Sequence, residues 1–119
     1  MAYNGTMTKA RTGNQTPRID QFNDGDPQLA IDTIELLDNY GTHLLPWQKA
    51  TLMRWMAKDE DGRWSNQENG LLVPRQSGKT ELALARILGG IILNSEALIF
   101  TAQSRDTVEA IKRRLMRFF

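Results

Sequence analysis

The chain has 119 residues, of which 40% are hydrophobic and 24% are charged, a composition typical of a soluble globular domain. Its formal net charge is only +1, which does not by itself indicate nucleic-acid binding. It has no cysteine, which excludes disulfide scaffolds and thiolate metal sites. The longest apolar run, residues 87 to 93, is too short to span a bilayer, and the N-terminus has no signal core, so we expect an intracellular protein.

The first 25 residues are predicted to form a flexible N-terminal arm. They are rich in Thr, Asn, Gly and Gln and follow neither the helical nor the strand period. Lys9, Arg11 and Arg18 could contact DNA, but three nearby aspartates, at 20, 24 and 26, balance their charge. We therefore favour simple disorder for the arm over a DNA contact.

Two helices are predicted to follow the arm. Asp26 and Pro27 are a strong helix start, and the helix should run from residue 27 to residue 40, where Gly41 supplies a left-handed stop. A second start at Pro46 predicts a helix through about residue 58. The apolar face of the first helix consists of Leu29, Ala30, Ile34, Leu37 and Tyr40.

From residue 71 onward the pattern indicates a strand, a turn and a helix. Residues 71 to 73 are the predicted strand, residues 74 to 80 read Pro-Arg-Gln-Ser-Gly-Lys-Thr, and a helical period follows to about residue 94. The glycine pair at 89 and 90 is explained by close packing of this helix on a sheet. A second strand at 97 to 101 and a helix from 105 to the end complete a βαβ unit. The predicted fold class is α/β: a partial P-loop NTPase with a parallel sheet, preceded by two helices.

The triplet at 78 to 80 has the chemistry of a phosphate-binding loop. Gly78 lets the backbone approach phosphates, Lys79 supplies an ammonium, and the hydroxyl of Thr80 is a hard ligand suited to Mg²⁺. The usual G-x-x-x-x-G-K-[ST] pattern would place a glycine at position 73, where this chain has Val73. The alternative is an ordinary strand, turn and helix with a fortuitous triplet.

Three segments of the chain resemble one family. Residues 74 to 80 resemble the deviant Walker A loop of bacteriophage terminase large subunits, in which the first glycine is commonly missing and Arg-Gln precedes the Gly-Lys-Thr/Ser. Residues 45 to 48, Leu-Pro-Trp-Gln, resemble the adenine-recognising glutamine motif of these proteins, and residues 101 to 104 resemble the segment after their second strand. The resemblance implies that residues 26 to 119 are the N-terminal portion of a P-loop ATPase domain, without the Walker B and nuclease regions.

The resemblance also implies the cofactors, ATP and Mg²⁺, and a role for each site residue. Lys79 would hold the β- and γ-phosphates, Thr80 would ligate Mg²⁺, and Gln48 would read adenine. Arg75 would act with Lys79 in catalysis by sensing or stabilising the γ-phosphate, and a structural pairing of Arg75 with a carboxylate is the alternative. The predicted nucleotide-binding residues are Gln48, Gln76, Ser77, Gly78, Lys79 and Thr80.

The implied function is the ATP-binding part of the motor that packages phage DNA into the capsid, in the cytoplasm of the infected bacterial host. The implied partners are double-stranded phage DNA, the terminase small subunit and the portal protein, with a homo-oligomer in the full-length motor and no membrane. Hydrolysis needs an aspartate at a strand end and a following glutamate, and none of the acidic residues after Thr80 (Glu81, Glu96, Asp106 and Glu109) lies at the end of an apolar strand. This chain alone is therefore expected to bind nucleotide poorly and to hydrolyse none.

Two alternatives stay open. One is a fragment of a helicase-type P-loop ATPase, which would be expected to keep the first loop glycine. The other is a non-catalytic motor remnant that binds DNA or a partner subunit, with Arg113, Arg114 and Arg117 of the last helix as the DNA-contacting residues. These arginines could equally form the solvated face of an amphipathic helix.

Overall fold

The computed structural model of the protein describes residues 13 to 74 and 77 to 119. Its regular elements are helices, and α3 continues directly into a π-helical segment, Gly89–Leu93. The four helices are α1 (Gln28–Asn39), α2 (Pro46–Trp55), α3 (Lys79–Leu88) and α4 (Arg105–Met116). None of the helices in these ranges has the length and apolar content needed to cross a membrane.

The predicted α/β fold class is wrong, because the described residues form a helical fold without a sheet. Strand-type pairing in these ranges is limited to two isolated antiparallel bridges, Asp26 with Lys58 and Lys58 with Trp64. The predicted strands at 71 to 73 and 97 to 101 are irregular, and the βαβ unit is therefore absent from the part of the chain that the structure describes.

Both predicted strands contain apolar side chains that are exposed to solvent in the helical fold. Leu72 is 99% exposed and Ile99 is 93% exposed, although both were expected to lie in strands of a parallel sheet. Short parallel strands have little stability unless further strands or a covering helix complete the sheet. The apolar composition of these segments was correctly recognised, but the helices supply the core instead.

Helix α1 begins and ends with the signals that the sequence contains. The carboxylate of Asp26 accepts a hydrogen bond of 3.0 Å from the backbone N–H of Gln28, and Gly41 follows the helix with a φ of +83°. The predicted apolar face is confirmed by the burial of Ala30, Ile34 and Leu37. Tyr40 was predicted to join this face, but it lies beyond the last turn and is largely exposed.

The core lies where α1, α2 and α3 pack against one another. Leu37 from α1, Leu52 from α2 and Leu82 from α3 are each fully buried in it. Met56, just beyond the end of α2, joins the same cluster. The second predicted helix therefore faces the core as expected, but it ends at residue 55 rather than 58.

Gly89, the first residue of the glycine pair after α3, packs against a helix rather than the predicted sheet, while Gly90 lies beside the Arg86 and Glu96 side chains. Gly89 lies so close to α1 that a Cβ at this position would be 2.8 Å from Cγ2 of Thr33 and 2.9 Å from Cε of Met56. Thr33 is fully buried and donates its hydroxyl to the carbonyl of Leu29 at 2.8 Å. The absence of a side chain at Gly89 is thus required by helix–helix contact, at the point where α3 becomes π-helical.

Helix α4 packs against α3, and just beyond its end the ring of Phe118 contacts that of Tyr40 at the end of α1, with ring centroids 5.3 Å apart. Ser104 caps its start, because the serine hydroxyl accepts a hydrogen bond of 3.2 Å from the N–H of Thr107. Ile111 is buried, while Leu115 and Phe118 pack against the core cluster from its edge. An apolar side therefore turns inward at these three positions, as in the amphipathic alternative for this helix.

Candidate functional site

The start of α3 is shaped by a glycine in the left-handed region. Gly78 has a φ of +98° and is the residue that immediately precedes the helix. An L-residue with a side chain adopts this conformation only at a cost of about 1–2 kcal/mol. The sharp turn places Lys79 and Thr80 in the first turn of α3, and both side chains are exposed.

The N-terminus of α3 has no side-chain cap among the described residues. The first N–H groups of an α-helix have no intrahelical acceptor, and the aligned peptide dipoles place a partial positive charge at this end. Lys79 adds a full positive charge at the first helical position. The terminus is therefore suited to an anion that offers several oxygens, such as a phosphate group.

A buried glutamine from α2 holds this turn in place. The side-chain Nε2 of Gln48 donates a hydrogen bond of 2.7 Å to the carbonyl oxygen of Gly78, 30 residues later in the chain. Its Oε1 accepts a bond of 2.7 Å from the backbone N–H of Leu45, at the start of α2. Gln48 is 3% exposed, so the side chain is a structural link between the two helix starts.

The close contact between Gln48 and Gly78 depends on the glycine as well. A Cβ at position 78 would lie 2.6 Å from Nε2 of Gln48 and 3.9 Å from Cζ2 of Trp47. Side chains at 47 and 48 therefore both reach the turn before α3. The structure brings together the glutamine motif and the end of the phosphate-loop motif, two of the three segments on which the family resemblance rests.

The remaining predicted site residues are placed as follows. Ser77 is half-buried immediately before Gly78, while Arg75 and Gln76 lie outside the described residues. Of the third segment, residues 101 to 104, Ser104 caps α4. The predicted roles of Arg75 in catalysis and of Gln76 in nucleotide binding stay predictions.

A large groove opens beside the turn that precedes α3. It has a volume of about 900 Å³ and is lined on one side by residues 13 to 15 and 17 to 22, which we call the strap. Its other walls are residues 66 and 68 to 74 and the α2 side chains of Trp47, Thr51, Arg54 and Trp55, with Ser77 at the end nearest α3. Ligand sites in proteins typically have volumes of about 300–1,000 Å³.

Sequence reasoning missed the contacts that build the groove. Within the predicted arm, residues 1 to 12 lie outside the described residues, but Gln15, Asp20 and Phe22 contact α2. Asp20 forms a salt bridge of 2.6 Å with Arg54, and the ring of Phe22 lies 4.0 Å from the guanidinium carbon of Arg54. These contacts join residues more than 30 positions apart, so no local period could have identified them.

An ion pair links α3 to α4 close to the candidate site. Glu81, in the first turn of α3, accepts two hydrogen bonds from the guanidinium of Arg114. The hydrogen bonds to Glu81 raise the pKa of Arg114, so this side chain stays charged. Arg114 is thus engaged within the chain, whereas Arg113 and Arg117, which were predicted with it as DNA-contacting residues, are exposed.

A second polar cluster fixes the far end of α3. Arg86 donates to both carboxylate oxygens of Glu96 at 3.1 and 3.0 Å, and Asn94 donates to Glu96 at 3.1 Å. Burial alone would raise the pKa of Glu96, but these bonds and the charges of Arg86 and Lys58 outweigh it and lower the pKa. The Glu96 carboxylate is therefore stabilised in its ionised form.

The described ranges contain no cluster of three or more His, Cys, Asp or Glu side chains that could hold a metal ion. The hydroxyl of Thr80 is the candidate protein ligand for Mg²⁺, which typically binds through few protein oxygens together with substrate phosphates and water.

Comparison of the chain with protein-family profiles, with curated proteins and with solved structures found no match.

Proposed function

We propose that the chain binds ATP with Mg²⁺, with the triphosphate at the N-terminus of α3. The observation that carries this proposal is the hydrogen bond of 2.7 Å between Gln48 and Gly78. It fixes a left-handed glycine in front of an uncapped helix start that carries Lys79 and Thr80. A Gly-Lys-Thr triplet that arose by chance would not be expected to contact the glutamine motif, the other segment that resembles the terminase family.

Each part of the site has a distinct role in this proposal. The N–H groups of the first turn bind phosphate oxygens, and the helix dipole favours their negative charge. Lys79 would hold the β- and γ-phosphates, and the hydroxyl of Thr80 would be a ligand of Mg²⁺, which would help to neutralise the phosphate charge. This chemistry requires only a helix start with a tight glycine turn, so it does not depend on the sheet that was predicted around it.

The larger role that we propose is nucleotide binding within a DNA-packaging motor of the terminase type. The order of the three resembling segments and the contact between two of them support it. In such a motor Arg75 would stabilise the γ-phosphate, and DNA, the small subunit and the portal protein would be the partners. The activity that we propose for this chain is nucleotide binding.

A contact between Gln48 and adenine would require a change in the hydrogen bonds of Gln48. Its Oε1 and Nε2 already bond to Leu45 and Gly78, and the side chain is nearly fully buried. To read a base edge, the amide would have to exchange one of these partners. In the present arrangement Gln48 acts on the nucleotide indirectly, because it positions the turn on which the phosphates bind.

The test is titration of the purified chain with MgATP by isothermal calorimetry, alongside the Lys79→Ala variant. The matched control is Lys112→Ala, which removes an exposed lysine from α4 and leaves the net charge equal to that of Lys79→Ala. We expect saturable binding that is weakened at least about tenfold by Lys79→Ala, since one charge-assisted contact corresponds to roughly that factor. Equal affinities of the two variants, or no binding to the wild type, would contradict the proposal.

A further inference from the structure

The strap is anchored across the groove by a single arginine of α2. The guanidinium of Arg54 contacts the strap twice, through the salt bridge to Asp20 and through the face of the Phe22 ring. The Arg54 and Asp20 side chains are only 27% and 30% exposed, so the ion pair is partly shielded from water. Arg54 therefore holds the wall of the groove that faces Trp47 and Trp55.

Two further contacts fix the ends of the strap. Near its start, Oε1 of Gln15 accepts a hydrogen bond of 3.2 Å from the backbone N–H of Trp47, in the first turn of α2. Beyond its end, Asn23 and Asn66 exchange bonds of 2.7 and 3.0 Å. Between these points Ile19 is 72% exposed, so the middle of the strap is held chiefly through Arg54.

We propose that the strap is the wall of a nucleoside subsite and that Arg54 is the residue that positions it. This inference rests on the proposed binding of the triphosphate at α3. The groove reaches Ser77, the residue immediately before Gly78, so a nucleotide with its phosphates on the first turn of α3 would extend its sugar and base into the groove. Trp47, which lines the groove, also lies beside the turn at Gly78.

The lining of the groove fits a planar aromatic base. The half-buried indoles of Trp47 and Trp55 offer faces on which a base can stack, and Pro17, Leu71 and Pro74 supply apolar surface. Gln48 is not part of this lining. The base would therefore be held by ring contacts between the strap and α2, and not by the buried amide of Gln48.

The experiment compares MgATP with magnesium tripolyphosphate, which offers the same phosphates without a nucleoside. The variants are Arg54→Ala, Asp20→Asn and, as the matched control, Arg63→Ala, which removes an arginine from an exposed turn. Affinities are measured by calorimetry. In parallel, trypsin cleavage after the exposed Arg18 of the strap is followed by mass spectrometry with each ligand.

We expect Arg54→Ala to weaken MgATP binding about tenfold and tripolyphosphate binding less than about twofold, because only the nucleoside contacts the strap. MgATP, but not tripolyphosphate, should slow cleavage after Arg18 by about fivefold or more. Asp20→Asn should reproduce part of the selective loss of MgATP affinity. Because this substitution leaves α2 unchanged, it still tests the inference if Arg54→Ala unfolds.

Two other outcomes separate this inference from the proposed function. MgATP binding that depends on Lys79 but is equal in the wild type, Arg54→Ala and Asp20→Asn, with no protection of Arg18, would overturn the strap subsite and leave the phosphate site standing. Binding of neither MgATP nor tripolyphosphate would overturn both proposals. A loss of affinity of the same size for both ligands in the two variants would also overturn the subsite, since it would indicate a general structural effect.

Discussion

The side-chain amide of Gln48 donates a hydrogen bond of 2.7 Å to the carbonyl oxygen of Gly78. This bond joins the first turn of α2 to the turn that precedes α3, and it links two segments that are separate in the sequence. Because Gln48 is almost fully buried, the bond is protected from competition with water. The geometry of the candidate phosphate site therefore depends on a residue outside the phosphate-loop motif.

Replacing Gln48 should destabilise the fold. Gln48→Ala removes the acceptor of the Leu45 N–H and one of two donors to the Gly78 carbonyl, which keeps the N–H of Leu82 at 3.3 Å; losing a partner at such partly buried groups costs about 1 kcal/mol. Gln48→Glu keeps an acceptor for Leu45 but places a carboxylate against the Gly78 carbonyl. Burial and this repulsion should raise the pKa of the new carboxyl, so the variant should become more stable relative to wild type as the pH falls. Urea unfolding at several pH values measures both effects, and a pH-independent difference for Gln48→Glu would contradict the contact.

Two glycines allow the close approach at Gly78 to be separated from backbone strain. Gly78 and Gly41 both have positive φ, but only at Gly78 would a Cβ meet a neighbour, since nothing lies within 4 Å at Gly41. We expect Gly41→Ala to lower the free energy of unfolding by about 1–2 kcal/mol from strain alone. Gly78→Ala should cost more, because Nε2 of Gln48 must move as well. Equal losses of unfolding free energy in chemical denaturation would show that the contact with Gln48 adds no cost to the substitution at Gly78.

The packing of Gly89 against α1 predicts that alanine is less stable than glycine at this position, the reverse of the usual helix propensity. Alanine is favoured over glycine in a helix by about 1 kcal/mol, so Gly89→Ala would stabilise an uncrowded helix. Here the added methyl would press on Thr33 and Met56, and overpacking of this kind typically costs about 1–3 kcal/mol. We expect a net loss in the thermal unfolding midpoint. A gain would mean that α1 and α3 can separate without cost.

The ionised state of Glu96 predicts a pH-dependent contribution to stability. Its pKa in the folded chain lies below the ordinary value near 4.5, so the stabilisation is present above that pH and is lost as the pH falls through the lowered pKa. Glu96→Gln should therefore cost about 1 kcal/mol or more at neutral pH, and the difference from wild type should shrink under acid conditions. Urea titrations at pH 7 and at acid pH measure it, with Glu60→Gln on an exposed turn as control. A difference that is constant with pH would contradict the assigned pKa direction.

The sequence predicted the helices more successfully than the fold class. Helix starts were correct because their signals are local: Asp26 binds the N–H of Gln28, and Pro46 opens α2. The strands were wrong because a short apolar run has no local feature that requires a sheet partner. Leu72 and Ile99 have suitable side chains, but a strand forms only when another backbone pairs with it.

The candidate site was predictable in its parts and not in its assembly. The chemistry of Gly78, Lys79 and Thr80 can be read from residue type, and the left-handed φ at Gly78 agrees with the need for glycine there. The burial of Gln48 and the anchoring of the strap by Arg54 depend on contacts between distant residues. No spacing rule encodes such contacts, which is why the strap was interpreted as part of a flexible arm.

The most direct test of the central claim is a titration of the ¹⁵N-labelled chain with MgATP, followed by NMR of the backbone amides. If the triphosphate binds at the start of α3, the amide resonances of Gly78, Lys79 and Thr80 should show the largest shifts, and Lys79→Ala should strongly reduce those of Gly78 and Thr80 at the same subsaturating ligand concentration. Shifts confined to other parts of the chain, or identical shifts in the variant, would contradict the account.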